Sequence, residues 1–176
     1  IQKLSSQLLL NKAGSISVMD IYTGDIIAMY SSPSYDPNLF LFGISQDDWQ
    51  LIRNNPQKPL INKTLSGLYS PGSTIKPIVA LSALENNIIN KNFTVKCTGK
   101  TELYGQTFHC WKEKGHGFVS LKNAMKQSCD TYFYEVSRLL GVDRLSVTAK
   151  KFGLGEKVLG EYFSNEKQGL FPNTSW

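Results

Sequence analysis

The sequence predicts an α+β fold in which helices pack around an antiparallel sheet. Three observations carry this. Two short apolar runs, Ser15–Asp20 and Asp25–Tyr30, flank the turn-like Ile21-Tyr22-Thr23-Gly24 and read as a hairpin. Ile75, Ile78, Val79, Leu81, Ala83 and Leu84 give the dense apolar content of a buried helix. A series of helical patterns with glycine stops then fills the last third of the chain.

Taken in order, residues 1–13 form an opening helix, with Ile1, Leu4, Leu8 and Leu9 at near-helical spacing and Gly14 as its stop. Residues 14–31 are the hairpin, whose buried side is expected from Val18, Ile21, Ile26, Ile27 and Met29. Residues 32–68, dense in Pro, Asn, Ser and Asp, read as a covering segment with one short helix around Asp47–Arg53, where Asp47 and Asp48 suit the first turn. Residues 69–86 hold a central helix from Ser73 to Glu85, ending at Asn86-Asn87. Within 93–130, Phe93–Cys97 and Phe108–Trp111 read as strands flanking a polar loop, Thr98–Thr107. Ser120 then caps a helix through Leu121, Ala124 and Met125 that stops before Ser128. Residues 131–176 give helices Thr131–Leu140 and Val142–Phe152, closed by Gly141 and Gly153, and a tail without periodicity.

The 176 residues are 41% hydrophobic and 19% charged, the balance of a globular domain or of part of a larger one. A net charge of +5 and a pI near 9.1 favour acidic partners. The lysines are dispersed and no nucleic-acid motif is present, so nucleic acid is not expected as a partner. No apolar run reaches the roughly 18 residues of a membrane span, and no cleavable signal opens the chain. That leaves a cytosolic protein or a piece of a longer one.

Chemistry concentrates at two turns. In Pro71-Gly72-Ser73-Thr74-Ile75-Lys76-Pro77, Ser73 stands at a helix start, where free N–H groups favour developing negative charge. Lys76 lies three residues on, one turn along the same face, within reach of the hydroxyl. A serine needs such a base to become a nucleophile, and a lysine serves when its pKa is depressed from about 10.4. The alternative for Ser73 is an ordinary cap. At Ser128-Cys129-Asp130 a serine is placed to relay a proton and a carboxylate to orient a substrate amide or the lysine, the alternative for Asp130 being the N-cap of the next helix.

All three cysteines fall between 97 and 129. Cys97, Cys110, His116 and Cys129 supply three thiolates and an imidazole, the ligand set of a tetrahedral structural zinc site. Gly115 and Gly117 leave the backbone free to bend His116 inward, whereas His109 points away if its segment is a strand. Two alternatives stay open: a Cys97–Cys110 disulfide with Cys129 free, or three buried thiols.

Tyr69-x-Pro71-Gly72-Ser73-Thr74-x-Lys76-Pro77, then Trp111-Lys112-x-x-Gly115-His116-Gly117, then Ser128-Cys129-Asp130-Thr131-Tyr132-Phe133-Tyr134, resembles the class B penicillin-binding proteins, and within them the elongation-type penicillin-binding protein 2 group. The resemblance implies the penicillin-binding/β-lactamase-like transpeptidase fold, with residues 1–176 as the N-terminal portion of one such domain. It makes Ser73 the acyl-accepting nucleophile, Lys76 its general base, Ser128 the proton shuttle and Asp130 a substrate-orienting residue, at a position where many relatives carry Asn. It implies D,D-transpeptidation of peptidoglycan stem peptides, acylation by β-lactams and no cofactor for the acyl transfer itself. It further implies a membrane glycosyltransferase of the elongation machinery as partner, and a place on the periplasmic side of the bacterial inner membrane. The family's third motif, Lys-Thr/Ser-Gly, does not occur in the sequence, so these residues alone are expected to turn over little or not at all. Two rivals stand beside this reading. One is a β-lactamase or penicillin-sensing receptor, which the Ser128-Cys129-Asp130 wording disfavours. The other is a non-catalytic binding module.

Overall fold

The computed structural model describes residues 1–176, which divide into two compact units. The first unit comprises Ile1–Tyr69 and Leu159–Lys167. Helix α1 (Gln2–Leu8) leads to strands β1 (Gly14–Met19) and β2 (Ile26–Ser32), paired antiparallel with an irregularity at Val18/Met19. The buried side of this hairpin differs from expectation. Ala28 is its buried apolar residue, Val18 and Met29 are half-buried, and Ile21, Ile26 and Ile27 are exposed. Ile21 lies in the turn, where Asp20 Oδ1 accepts from the amides of Tyr22 and Thr23 and bends the chain before another strand position forms. Helix α2 (Gln46–Asn54) follows, capped by Ser45 and carrying Asp47 and Asp48 in its first turn as expected. The single turn α3 (Lys63–Ser66), capped by Asn62, was not evident in the sequence.

The second unit comprises Ser70–Val158 and Gln168–Trp176. Its central helix α4 (Lys76–Glu85) starts three residues later than the sequence suggests, because Gly72–Ile75 forms a 3₁₀ turn instead. Pro77 explains the switch. It has no N–H for the Ser73 carbonyl four residues back, so the Lys76 amide takes that carbonyl in a tighter bond. Strands β3 (Thr94–Cys97), β4 (Lys100–Leu103), β5 (Gln106–His109) and β6 (Gly117–Ser120) make two antiparallel pairs, β3 with β6 and β4 with β5. The expected loop 98–107 is thus largely a hairpin. Its two turn residues, Tyr104 and Gly105, both have positive φ, the backbone of a tight two-residue hairpin turn.

Helices α5 (Leu121–Gln127), α6 (Asp130–Leu140) and α7 (Val142–Lys151) match the predicted segments closely, and residues 155–176 contain no helix or strand. Val79, Ala80 and Ala83 of α4 meet Tyr132, Phe133, Val136 and Leu140 of α6 in one core with Val119 and all three cysteines. Burying Val136 and Leu140 contributes about 1.5–3 kcal/mol each. Thr148 of α7 donates to Ser82 of α4 at 2.9 Å, so a buried hydroxyl pair joins these two helices without an orphaned polar atom. This packing fixes α4 against α6, and with them the two turns that present Ser73 and Ser128.

Candidate active site

Ser73 sits exposed in the 3₁₀ turn, while Lys76, at the first residue of α4, is 8% exposed. A 3₁₀ turn has three residues per turn, which brings side chains at i and i+3 to the same side. The lysine nevertheless meets Ser73 through an intermediary. Lys76 Nζ donates to Ser128 O (2.9 Å), Ser128 Oγ (2.9 Å) and Asp130 Oδ1 (2.6 Å), which uses the three N–H groups of an ammonium. Ser128 Oγ in turn lies 3.0 Å from Ser73 Oγ. The two motifs, more than 50 residues apart, therefore form one continuous chain: Ser73, Ser128, Lys76, Asp130. Lys76 also lies 5.7 Å from the centre of the Phe133 ring.

The second motif occupies the break between α5 and α6. Ser128 ends α5 in the left-handed region (φ 50°, ψ 46°), a conformation that costs a residue bearing a β-carbon roughly 1–3 kcal/mol and clusters at functional sites. Cys129, not Asp130, is the N-cap of α6, and Asp130 is its first residue. The carboxylate does no capping. Its Oδ1 faces Lys76 and its Oδ2 accepts from the Trp111 amide at 3.0 Å. Burial pushes the Asp130 pKa up, but the Lys76 hydrogen bond, the Trp111 amide and the lysine's charge outweigh it and hold the carboxyl below its ordinary range. Of the two orienting roles expected for Asp130, this geometry serves the lysine.

Trp111 is a residue that motif spacing alone did not assign. Besides the amide bond to Asp130, its indole Nε1 donates to Gln127 O (2.9 Å), the carbonyl just before Ser128. Its ring meets the His116 ring edge-on at 5.3 Å. The sequence signal was its place at the head of Trp111-Lys112-x-x-Gly115-His116-Gly117, a stretch that carries the family resemblance without a role for the tryptophan.

Cys97, Cys110, His116 and Cys129 come together, with one ligand atom from each lying within 4.8 Å of the others. Their positions follow from the fold. Cys97 ends β3, Cys110 follows β5, His116 precedes β6, and Cys129 caps α6. Gly115 has φ 74°, and a side chain there would run into the backbone of Cys97 and Thr98, so only glycine lets the His116 segment pass so close. His109 lies outside the cluster, as the strand reading expects.

None of the three cysteines is in a disulfide. His116 Nδ1 is 3.5 Å from Cys97 Sγ and 3.6 Å from Cys110 Sγ. A tetrahedral zinc with bonds of about 2.3 Å to sulfur and 2.0–2.1 Å to nitrogen requires S···N separations of about 3.6 Å, so these residues fit the ion. Burial raises the Cys97 pKa, but donors from Thr131, His116 and Gly99 more than reverse this and bring it to about 6. Burial first, and then the neighbouring sulfurs, push Cys129 up to about 12 although the Tyr132 amide opposes them. Such crowding of thiols is what a bound cation relieves.

Residues 14–176 match the family model described as penicillin binding protein transpeptidase domain. The chain belongs to this family. It is 39% identical over 178 aligned residues to the peptidoglycan D,D-transpeptidase MrdA of Acinetobacter baumannii, an alignment covering all of this chain and 26% of that relative. The chain therefore spans about a quarter of that relative's length. Among solved structures, Pseudomonas aeruginosa PBP2 in complex with WCK 5153 superposes with a TM-score of 0.91 at 40% identity, covering 99% of this chain and 40% of that one. PBP2 of Helicobacter pylori, in its complex with MreC, superposes at 0.82 with 39% identity over 88% of this chain and 29% of that one. The penicillin-binding transpeptidase fold expected from the motifs is thus the fold found, its strands antiparallel throughout the described residues.

Proposed function

We propose that the intact protein is a serine-type peptidoglycan D,D-transpeptidase of bacterial cell-wall elongation, with Ser73 as its nucleophile. The observation that carries this is the unbroken chain Ser73 Oγ–Ser128 Oγ–Lys76 Nζ, at 3.0 and 2.9 Å. As Ser73 Oγ attacks the carbonyl carbon of the D-Ala-D-Ala amide, its proton passes to Ser128 Oγ, which hands its own to Lys76 acting as an amine. Lys76 is then the ammonium whose three N–H groups have the acceptors described above, with Asp130 as counter-ion. The relay runs backwards to protonate the departing D-Ala nitrogen, leaving an acyl-enzyme on Ser73. An amine of a neighbouring stem attacks that ester, its proton leaving by the same relay, and the cross-link forms as Ser73 recovers its hydrogen. A β-lactam acylates the same oxygen.

Cys97, Cys110, His116 and Cys129 would hold a structural zinc, with no part in the proton transfers. Its contribution is to pin Cys129, and hence Ser128 and Asp130 on either side of it, to β3 and the segment after β5. The MreC complex of the Helicobacter pylori relative supports an assembly role in elongation; a membrane glycosyltransferase as partner and a place on the periplasmic side of the inner membrane rest on the family resemblance alone.

A fluorescent penicillin tests the reading. The intact protein is expected to be labelled on Ser73, and Ser73→Ala to abolish the label. Persistence of the label in Ser73→Ala would overturn the assignment. Residues 1–176 contain no Lys-Thr-Gly, the motif expected from the resemblance to supply half of the oxyanion site. A chain of these residues alone should therefore label far more slowly than the intact protein.

A further inference from the structure

The net charge of the chain is not evenly spread. Residues 91–127 hold seven lysines and two glutamates, a net charge of +5. The 19 basic and 14 acidic side chains of the whole then leave 12 of each elsewhere, so this segment carries the entire excess. The lysines are dispersed along it; the acids are what is missing. All seven lysines are exposed, and none is in an ion pair. Lys96 of β3 lies over the Phe118 ring of its partner strand, 5.8 Å from the centroid.

Three of these lysines lie on segments that lead into or brace the turn of Ser128 and Asp130. Lys122 and Lys126 share one face of α5, four residues apart, and Lys126 is two residues before Ser128. Lys112 follows Trp111, whose amide fixes Asp130. Lys100 and His109 stand opposite each other across β4 and β5, and with Trp111 and Glu113 they line a cleft of about 490 Å³. An excess of one charge sign beside a reaction site raises the local concentration of an oppositely charged substrate.

We propose that the exposed lysines of residues 91–127 form a docking surface for the carboxylates of a peptidoglycan strand, seating uncross-linked stems beside the one that reaches Ser73. This rests on the transpeptidase reading and extends it from a single stem to a polymer. Each uncross-linked stem ends in a carboxylate, and stems repeat along the glycan, so the strand presents negative charges at intervals. Lysines scattered over three elements suit such a ligand better than they suit one compact anion. An anionic lipid surface fits less well, because a membrane held against α5 and the segment after β5 would lie over the turn that presents Ser128.

The test uses the intact protein and soluble glycan strands bearing pentapeptide stems, with affinity read by fluorescence anisotropy across a salt series. Combining Lys100→Gln, Lys112→Gln, Lys122→Gln and Lys126→Gln is expected to weaken strand binding about tenfold or more at low salt, and to remove most of its salt dependence. The matching four arginine replacements, which keep the charge, should bind as the parent does. Circular dichroism of both variants separates loss of the surface from loss of the fold. Unchanged strand affinity in the folded glutamine variant overturns the proposal. So does binding to vesicles containing anionic lipid that displaces the strands and depends on the same lysines, since the partner would then be the membrane. Penicillin labelling of the parent protein is read separately: strand binding that follows the lysines without any labelling of Ser73 would sink the transpeptidase reading and leave the surface standing.

Discussion

Ser128 is a residue whose backbone and side chain have separable costs and uses. Its hydroxyl bridges Ser73 to Lys76, while its backbone holds a left-handed conformation that glycine adopts freely. Ser128→Ala should slow penicillin acylation of the intact protein by about 10²–10⁴-fold, the usual worth of a positioned proton-transfer group. Ser128→Gly should be as slow, yet about 1 kcal/mol more stable than Ser128→Ala, because glycine removes the positive-φ strain that alanine keeps. Comparing acylation rates with thermal midpoints tests both statements, and a glycine variant no more stable than the alanine one would refute the strain argument. Trp111 offers a finer probe. Trp111→Phe keeps the ring beside His116 and the amide to Asp130 but loses the Nε1 donor to Gln127 O. Losing one hydrogen bond of about 1 kcal/mol predicts acylation roughly fivefold slower at unchanged zinc content. A variant that acylates at the parent rate would show that the indole does not hold the Ser128 turn.

At the scale of elements, the helices of the second unit were legible because glycine stops and apolar spacing are local signals, whereas Ser120 takes the N-cap position of α5 without a side-chain capping bond. Pro77 could have revealed the 3₁₀ start as well, since it has no N–H to donate to the Ser73 carbonyl four residues back, which the Lys76 amide takes instead. The β4–β5 hairpin was hidden for a different reason. Lys100-Thr101-Glu102-Leu103 and Gln106-Thr107-Phe108-His109 are mostly polar, and only the positive φ of Tyr104 and Gly105 betrays the turn. Ile21 misled because an apolar residue in a turn looks like one in a strand until Asp20 is recognised as the residue that bends the chain. The candidate site residues were legible as types at motif spacing, but their wiring was not: spacing put Lys76 beside Ser73, whereas the fold routes the contact through Ser128. The loop carrying His116 yields a sharp test at this scale. Gly115→Ala adds one carbon that would collide with the Cys97 and Thr98 backbone at a φ alanine avoids. Zinc per chain, measured by mass spectrometry, is expected to fall well below one in this variant. Full zinc occupancy would show that the loop has another way to deliver His116.

For the second unit as a whole, the cysteine–histidine cluster and the Ser73–Ser128–Lys76–Asp130 chain are two faces of one core. Cys97, Cys110 and Cys129 belong to the same packed set as Val79, Ala83, Tyr132 and Val136, while Ser128 and Asp130 flank Cys129 directly. A zinc bound there would fasten four segments of this core to one another, and its binding free energy would become folding free energy. Stripping it should therefore lower stability and catalysis together. Incubating the intact protein with a strong chelator is expected to lower its thermal midpoint by about 5 °C or more and to slow penicillin acylation, both recovering when zinc is restored. Cys129→Ser should reproduce the loss without chelator, because a hydroxyl is a poor replacement for thiolate at a zinc site. Two results would refute this. Removal of the metal with neither property changed would make the cluster irrelevant to the site, and a purified protein without zinc but with a Cys97–Cys110 disulfide would assign the same staple to a covalent bond.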